Sequence, residues 1–112
     1  MIYNTPMDVF AALAEPTRRK IMEILARQGQ LPASDIYEHF DVTPQAISQH
    51  LKILREADLV RVERDAQKRL YSINPTAVGE LEAWAQRTRQ MWNDRFDRLE
   101  DLLDERASAD ET

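Results

Sequence analysis

Between Thr43 and Ala57 the chain reads TPQAISQHLKILREA, and its polar side chains fall where the apolar ones do not. Ile47, Leu51 and Leu54 recur at helical spacing and claim one face. Gln45, Ser48, Gln49, Lys52 and Arg55 occupy the other. A glutamine amide can bond adenine through a paired donor and acceptor, and a serine hydroxyl can bond either class of base. Lysine and arginine suit phosphate oxygens. The chemistry open to this face is recognition of a base-edge pattern, with Gln45, Ser48 and Gln49 as readers. His50 reads either as a fourth base reader in the groove or as a helix-surface residue packed beside the hairpin that follows.

Bond-breaking chemistry finds little to work with. There is no cysteine, so thiolate nucleophiles, disulfides and thiolate metal sites are excluded. His39 and His50 are the two histidines, and a metal site would need carboxylates for most of its ligands. No phosphate-cradling glycine loop is present, and Ser48 and His50, two apart on one helix, do not face each other. Neither a metal, a cofactor nor an enzymatic activity is expected.

The elements that must position this face follow from caps and periodicity. Thr43 caps the helix and Pro44 takes its first position, where a missing N–H costs nothing; Thr43 is a phosphate ligand only second. Before it, Leu31-Pro32 opens a helix holding Ile36, Tyr37 and Phe40, with Ser34 as the expected cap and Asp41 as the expected left-handed residue of a sharp turn. His39 is expected to be an ordinary surface residue. Further back, Met7–Ala14 is a short helix and PTRRKIMEILARQ a longer one stopped by Gly29. Arg18, Arg19 and Lys20 crowd its start, an unfavourable end for cations. They are expected to be solvated or paired with Glu15 or Glu23, or else to contact phosphate.

After the reading helix, VRVERD and KRLYSI alternate apolar and polar residues around Ala66-Gln67 and form a β-hairpin. Arg64, Lys68 and Arg69 make it basic, as a phosphate-contacting wing would be. Asn74-Pro75 ends it. A long helix then runs to about Arg106, with Leu81, Trp84, Ala85, Thr88, Trp92, Phe96, Leu99 and Leu103 stepping by three or four. So long an apolar stripe exceeds what a small domain can cover and marks a partner surface. It is read as the dimer interface, assisted by Phe10 on the first helix. The space near Trp84 and Trp92 could hold a small apolar effector or be filled core.

At 112 residues the chain is one domain by size. Residues 1–106 are expected to form a DNA-binding and dimerisation domain, and 107–112 an acidic flexible tail. Net charge is −5, yet from Val42 to Ile73 six cations face four anions, leaving +2 where phosphate would be met. No segment reaches membrane-spanning length, and the expected location is the cytoplasm.

Phe10–Arg19 (FAALAEPTRR), Ser48–Ala57 (SQHLKILREA) and the wing Tyr71 together resemble the arsenical-resistance repressor (ArsR/SmtB) family. The likeness runs from Met7 to about Leu103, with the elements in the family's order. It implies a mainly helical winged helix-turn-helix fold of five helices, a two-stranded wing lying between the last two, assembled as a homodimer. The implied function is a sequence-specific double-stranded DNA-binding transcriptional regulator, usually a repressor, on a pseudo-palindromic operator. Thiolate-sensing members carry cysteines in the stretch matching Ser34–His39, and there are none here. Others sense metals through histidines and acids of the last helix. Glu80, Glu82, Asp94, Asp97, Asp101 and Asp104 stand there without a histidine, so the chain looks more like the non-metal, autorepressor-type subgroup. The rival from another class is a winged-helix module that binds protein and never meets DNA. The uncharged Gln-Ser-Gln face argues against it.

Overall fold

The computed structural model describes residues 8–110. Helix α1 (Val9–Leu13) is short, capped by the Asp8 carboxylate, which accepts from the Phe10 N–H at 3.2 Å. Met7, the expected start of this helix, lies outside the described residues. Helix α2 (Pro16–Gln28) starts as its sequence dictates, with Pro16 first and the Glu15 carboxylate accepting from the Arg18 N–H at 3.1 Å. Gly29 ends it at φ 81°, a left-handed value that glycine takes without a Cβ penalty. Ile21, Ile24 and Leu25 are buried.

Around the next helix the structure corrects several expectations. Leu31–Pro32 is strand β1, not a helix start. Helix α3 (Ala33–Tyr37) begins after it, so the cap position falls to Pro32 and Ser34 lies inside the first turn. The helix also stops before Phe40. The His39 and Phe40 N–H groups reach back three residues, to Ile36 O and Tyr37 O, so the chain unwinds gradually. A reversal spread over several residues needs no left-handed one, and Asp41 does not adopt a positive φ.

Helix α4 (Pro44–Glu56) is capped by Thr43, whose hydroxyl accepts from the Ala46 N–H at 3.2 Å. Its Ile47, Leu51 and Leu54 are buried. At its far end Asp58 takes φ 59°. Its N–H bonds Arg55 O, and the Leu59 N–H bonds Leu54 O, each at 3.0 Å. That pair is a Schellman closure, and Leu59 is fully buried beyond it.

Strands β2 (Val60–Asp65) and β3 (Lys68–Ile73) form the expected hairpin, with Ala66 at φ 58° in the turn. The sheet has three strands, in the order β1-β3-β2. Leu31 pairs with Tyr71 and Pro32 with Leu70. Pro32 lacks an N–H and is tolerated because β1 is an edge. Asn74 joins this sheet to both neighbouring helices. Its N–H bonds Leu59 O at 2.9 Å, its amide nitrogen donates to Asp58 O at 2.8 Å, and its amide oxygen caps Thr76 N–H at 3.2 Å.

Helix α5 (Pro75–Asp110) has 36 residues, about 54 Å at 1.5 Å per residue. It continues past Arg106 to Asp110; Glu111 and Thr112 of the expected acidic tail lie outside the described residues. Two compact units divide the chain, one ending at Val78 and one beginning at Gly79. The first has the core, built from Ile21, Ile24, Leu25, Ile36, Ile47, Leu51, Leu54 and Leu59. Each such side chain contributes roughly 1.5–3 kcal/mol on burial. The second is the body of α5, and from Trp84 onward its described residues are exposed.

Candidate nucleic-acid interface

Burial of Ile47, Leu51 and Leu54 fixes the rotation of α4 and leaves Gln45, Ser48 and Gln49 exposed together. With Tyr37 and Pro44 they line a shallow groove of about 420 Å³. Tyr37, grouped in the sequence with Ile36 and Phe40, brings a half-exposed ring to the readers' edge. No sequence signal marks it, because only the angle between α3 and α4 brings it there. Thr43, at the start of α4, keeps its hydroxyl engaged as a cap.

The cations expected to meet phosphate are Lys52, Arg55, Arg64, Lys68 and Arg69, all exposed. Arg55, Arg64 and Arg69 gather with Arg61 around a second concavity of about 560 Å³ that also holds Asp58 and Glu63. Arg61, one of the six cations between Val42 and Ile73, adds to the expected phosphate contacts there. Arg64 stands directly opposite Arg69 in the hairpin. Like charges so placed destabilise a ladder, and an anion between them would relieve the repulsion. Lys68 pairs across from Asp65 at the tip.

His50 is turned toward α2. Its Nδ1 lies 3.1 Å from Arg18 Nη1 and 3.9 Å from Glu15 Oε2. Partial burial raises the Glu15 carboxyl pKa, but the Arg18 and Thr17 N–H groups, the neighbouring His50 ring and the Thr17 hydroxyl outweigh it and hold the pKa below the ordinary value. Arg18 and Arg19 are not merely solvated. Arg18 Nε donates to Ala12 O at 2.6 Å, and Arg19 Nη1 to Leu13 O at 2.8 Å. Two cations at the start of α2 thus serve the carbonyl end of α1. His39, expected at the surface, is exposed, with Nδ1 on Asp35 O and Nε2 facing the Gln28 amide.

On α5, Trp84, Trp92, Phe96, Leu99 and Leu103 are exposed, as are Ala85 and Thr88, and Leu81 is half-buried. Met91 and Leu102 add to the apolar surface. Trp92 and Phe96 meet edge to face with centroids 5.0 Å apart. Phe10 is exposed on α1. Among the described residues no three His, Cys, Asp or Glu gather as a metal site, and no helix is long and apolar enough to cross a membrane.

Residues 13–63 match the sequence profile of a helix-turn-helix domain family. Over 74 residues the chain is 31% identical to the arsenical resistance operon repressor of Staphylococcus xylosus, covering 66% of this chain and 70% of that one. The ArsR-like transcriptional regulator from Rhodococcus sp. RHA1 superposes with a TM-score of 0.73 at 26% identity, over 84% of this chain and 88% of its own. This chain belongs to the ArsR family. A further relative, the transcriptional repressor SdpR of Bacillus subtilis, is 40% identical over 77 residues, 69% of this chain and 84% of SdpR. As an ArsR-family winged helix-turn-helix regulator, the protein has double-stranded DNA as its partner. The reading in which the winged helix binds only protein is set aside.

Proposed function

We propose that this ArsR-family protein is a homodimeric repressor acting in the cytoplasm on a pseudo-palindromic operator. Two copies of α4 would enter successive major grooves about one helical turn, roughly 10 bp, apart. Gln45, Ser48 and Gln49 read base edges, with His50 at their margin. Thr43, Lys52, Arg55, Arg64, Lys68 and Arg69 contact phosphate. The observation that carries this is the division of α4, where three buried aliphatic residues leave an uncharged amide-hydroxyl-amide face open beside a groove. That SdpR and the S. xylosus protein are repressors by name supports the sign of regulation.

Self-association is assigned to α5. Trp92 is 57% exposed, Phe96 48% and Leu103 57% in the single chain, and a repeating apolar face of that extent is costly to leave in water. Leu81, Trp84, Ala85, Thr88 and Leu99 complete the stripe, and Phe10 adds from α1. An apolar effector would find its place in the cleft of about 290 Å³ between Trp92, Arg95, Phe96 and Leu99. The test is a titration of labelled duplex from upstream of the protein's own reading frame against a scrambled duplex, at two salt concentrations. Preference for the native duplex at both salts is expected; equal affinity would reject specific binding.

A further inference from the structure

Arg18 is held in place by backbone. Its Nε donates to Ala12 O at 2.6 Å and its Nη2 to Ala11 O at 3.5 Å, both at the carbonyl end of α1. The remaining arm, Nη1, ends 3.1 Å from His50 Nδ1 on α4. A guanidinium has donors and no acceptor, and it does not deprotonate in proteins. The Nδ1 it meets must therefore offer its lone pair, and a neutral imidazole in that position carries its proton on Nε2. His39 shows the opposite arrangement. Its Nδ1 lies 2.9 Å from Asp35 O, which can only accept, and its Nε2 faces the Gln28 amide nitrogen at 3.3 Å.

Nε2 of His50 has no hydrogen-bond partner among the described residues, and it is not sealed from solvent. It projects from the residue after Gln49, on the helix that presents the reading face. The ring is also less extended into solvent than those readers. Its side chain keeps 23% of its exposure, with Arg18 and the Glu15 carboxylate gathered at the other nitrogen. A donor so recessed meets the rim of a groove rather than its floor, and phosphate oxygens form that rim. The adjacent guanidinium polarises the ring in the sense that strengthens an N–H bond to an anion.

We propose that Arg18 is a positioning residue: by fixing the His50 proton on Nε2 it makes His50 an N–H donor to a DNA phosphate oxygen. This rests on the reading of α4 as the groove-reading helix. It moves His50 from the base readers to the phosphate contacts, and it ties that contact to α1.

Two measurements test it, both on the full chain. In alkaline buffer, long-range proton–nitrogen spectra of the labelled protein should show His50 Nδ1 unprotonated and Nε2 protonated, with His39 reversed in the same spectrum. Arg18→Gln should move the His50 Nδ1 resonance and admit the other tautomer. A proton on His50 Nδ1 in the unsubstituted protein, or an unmoved resonance in Arg18→Gln, overturns the positioning role. The second measurement leaves Arg18 intact and uses a duplex recovered by the protein from a randomised library. His50→Ala should weaken binding about three- to tenfold, with the salt dependence unchanged because no cation is lost. His50→Gln should recover most of the loss, since its carbonyl can accept from Arg18 while its amide points outward. One methylphosphonate linkage should weaken the unsubstituted protein and not His50→Ala. Full binding by His50→Ala, no recovery by His50→Gln, or no such linkage rejects the phosphate contact. Failure to recover any duplex would reject the DNA reading itself, and the ring-proton result would stand apart from it.

Discussion

Gln49 and Lys68 are both exposed polar residues in the same unit, yet they should fail differently when truncated. Gln49→Ala should reduce discrimination at one base pair by about 1–3 kcal/mol, read as affinity for the recovered operator against single-base variants. Lys68→Ala should weaken all duplexes alike and lower the salt slope by about 1. Identical behaviour would mean that the two faces are not specialised. Glu15 offers a residue-scale test of stability. Its carboxyl pKa is lowered on folding from the ordinary 4.5, so its contribution is present above that value and lost as pH falls through the folded one. The stability difference between the protein and Glu15→Gln, from denaturant midpoints, should be constant near neutrality and shrink in acid. A difference that grows in acid would contradict the assigned cap. Gln45, Ser48 and Gln49 were legible because helical periodicity alone separates them from Ile47, Leu51 and Leu54. The Arg18–His50 contact was not, because it joins residues 32 apart in sequence through packing.

Among the elements, those with local signals were readable and those built by distant pairing were not. Thr43-Pro44, Pro16 and Gly29 mark helix ends through their own dihedral and hydrogen-bonding chemistry. Strand β1 is two residues long and exists because Leu31 meets Tyr71, forty positions on. The left-handed aspartate expected at Asp41 stands instead at Asp58, where a buried Leu59 two places beyond the cap residue Ala57 is the real mark of a Schellman end. Asp58→Gly should accordingly raise stability by about 0.5–1 kcal/mol, seen as a higher denaturant midpoint. A fall would show that the Asp58 side chain does more than tolerate its conformation. Leu51→Ala, at 1% exposure, should cost about 2–5 kcal/mol and loosen α4 from the sheet before any DNA contact is touched.

For the whole molecule, the proposed reader works only as a pair. Phe96→Glu, on a residue 48% exposed in the single chain, should leave the fold up to Val78 intact and drive the protein to monomer in sedimentation velocity. Operator affinity should then fall more than tenfold, since the second half-site loses its high effective concentration. A monomer that still binds the full operator as tightly would refute the dimeric reader. The division of the chain between Val78 and Gly79 also bears on ancestry. Operator choice is assigned to residues before that boundary and mate choice, Phe10 apart, to residues after it, so the two can drift largely separately. A duplicated gene could change the sites it visits while still pairing with its parent, or stop pairing with its parent while visiting the same sites. Exchanging the segment from Gly79 onward between two such copies should move the mating preference and leave the sequence preference behind.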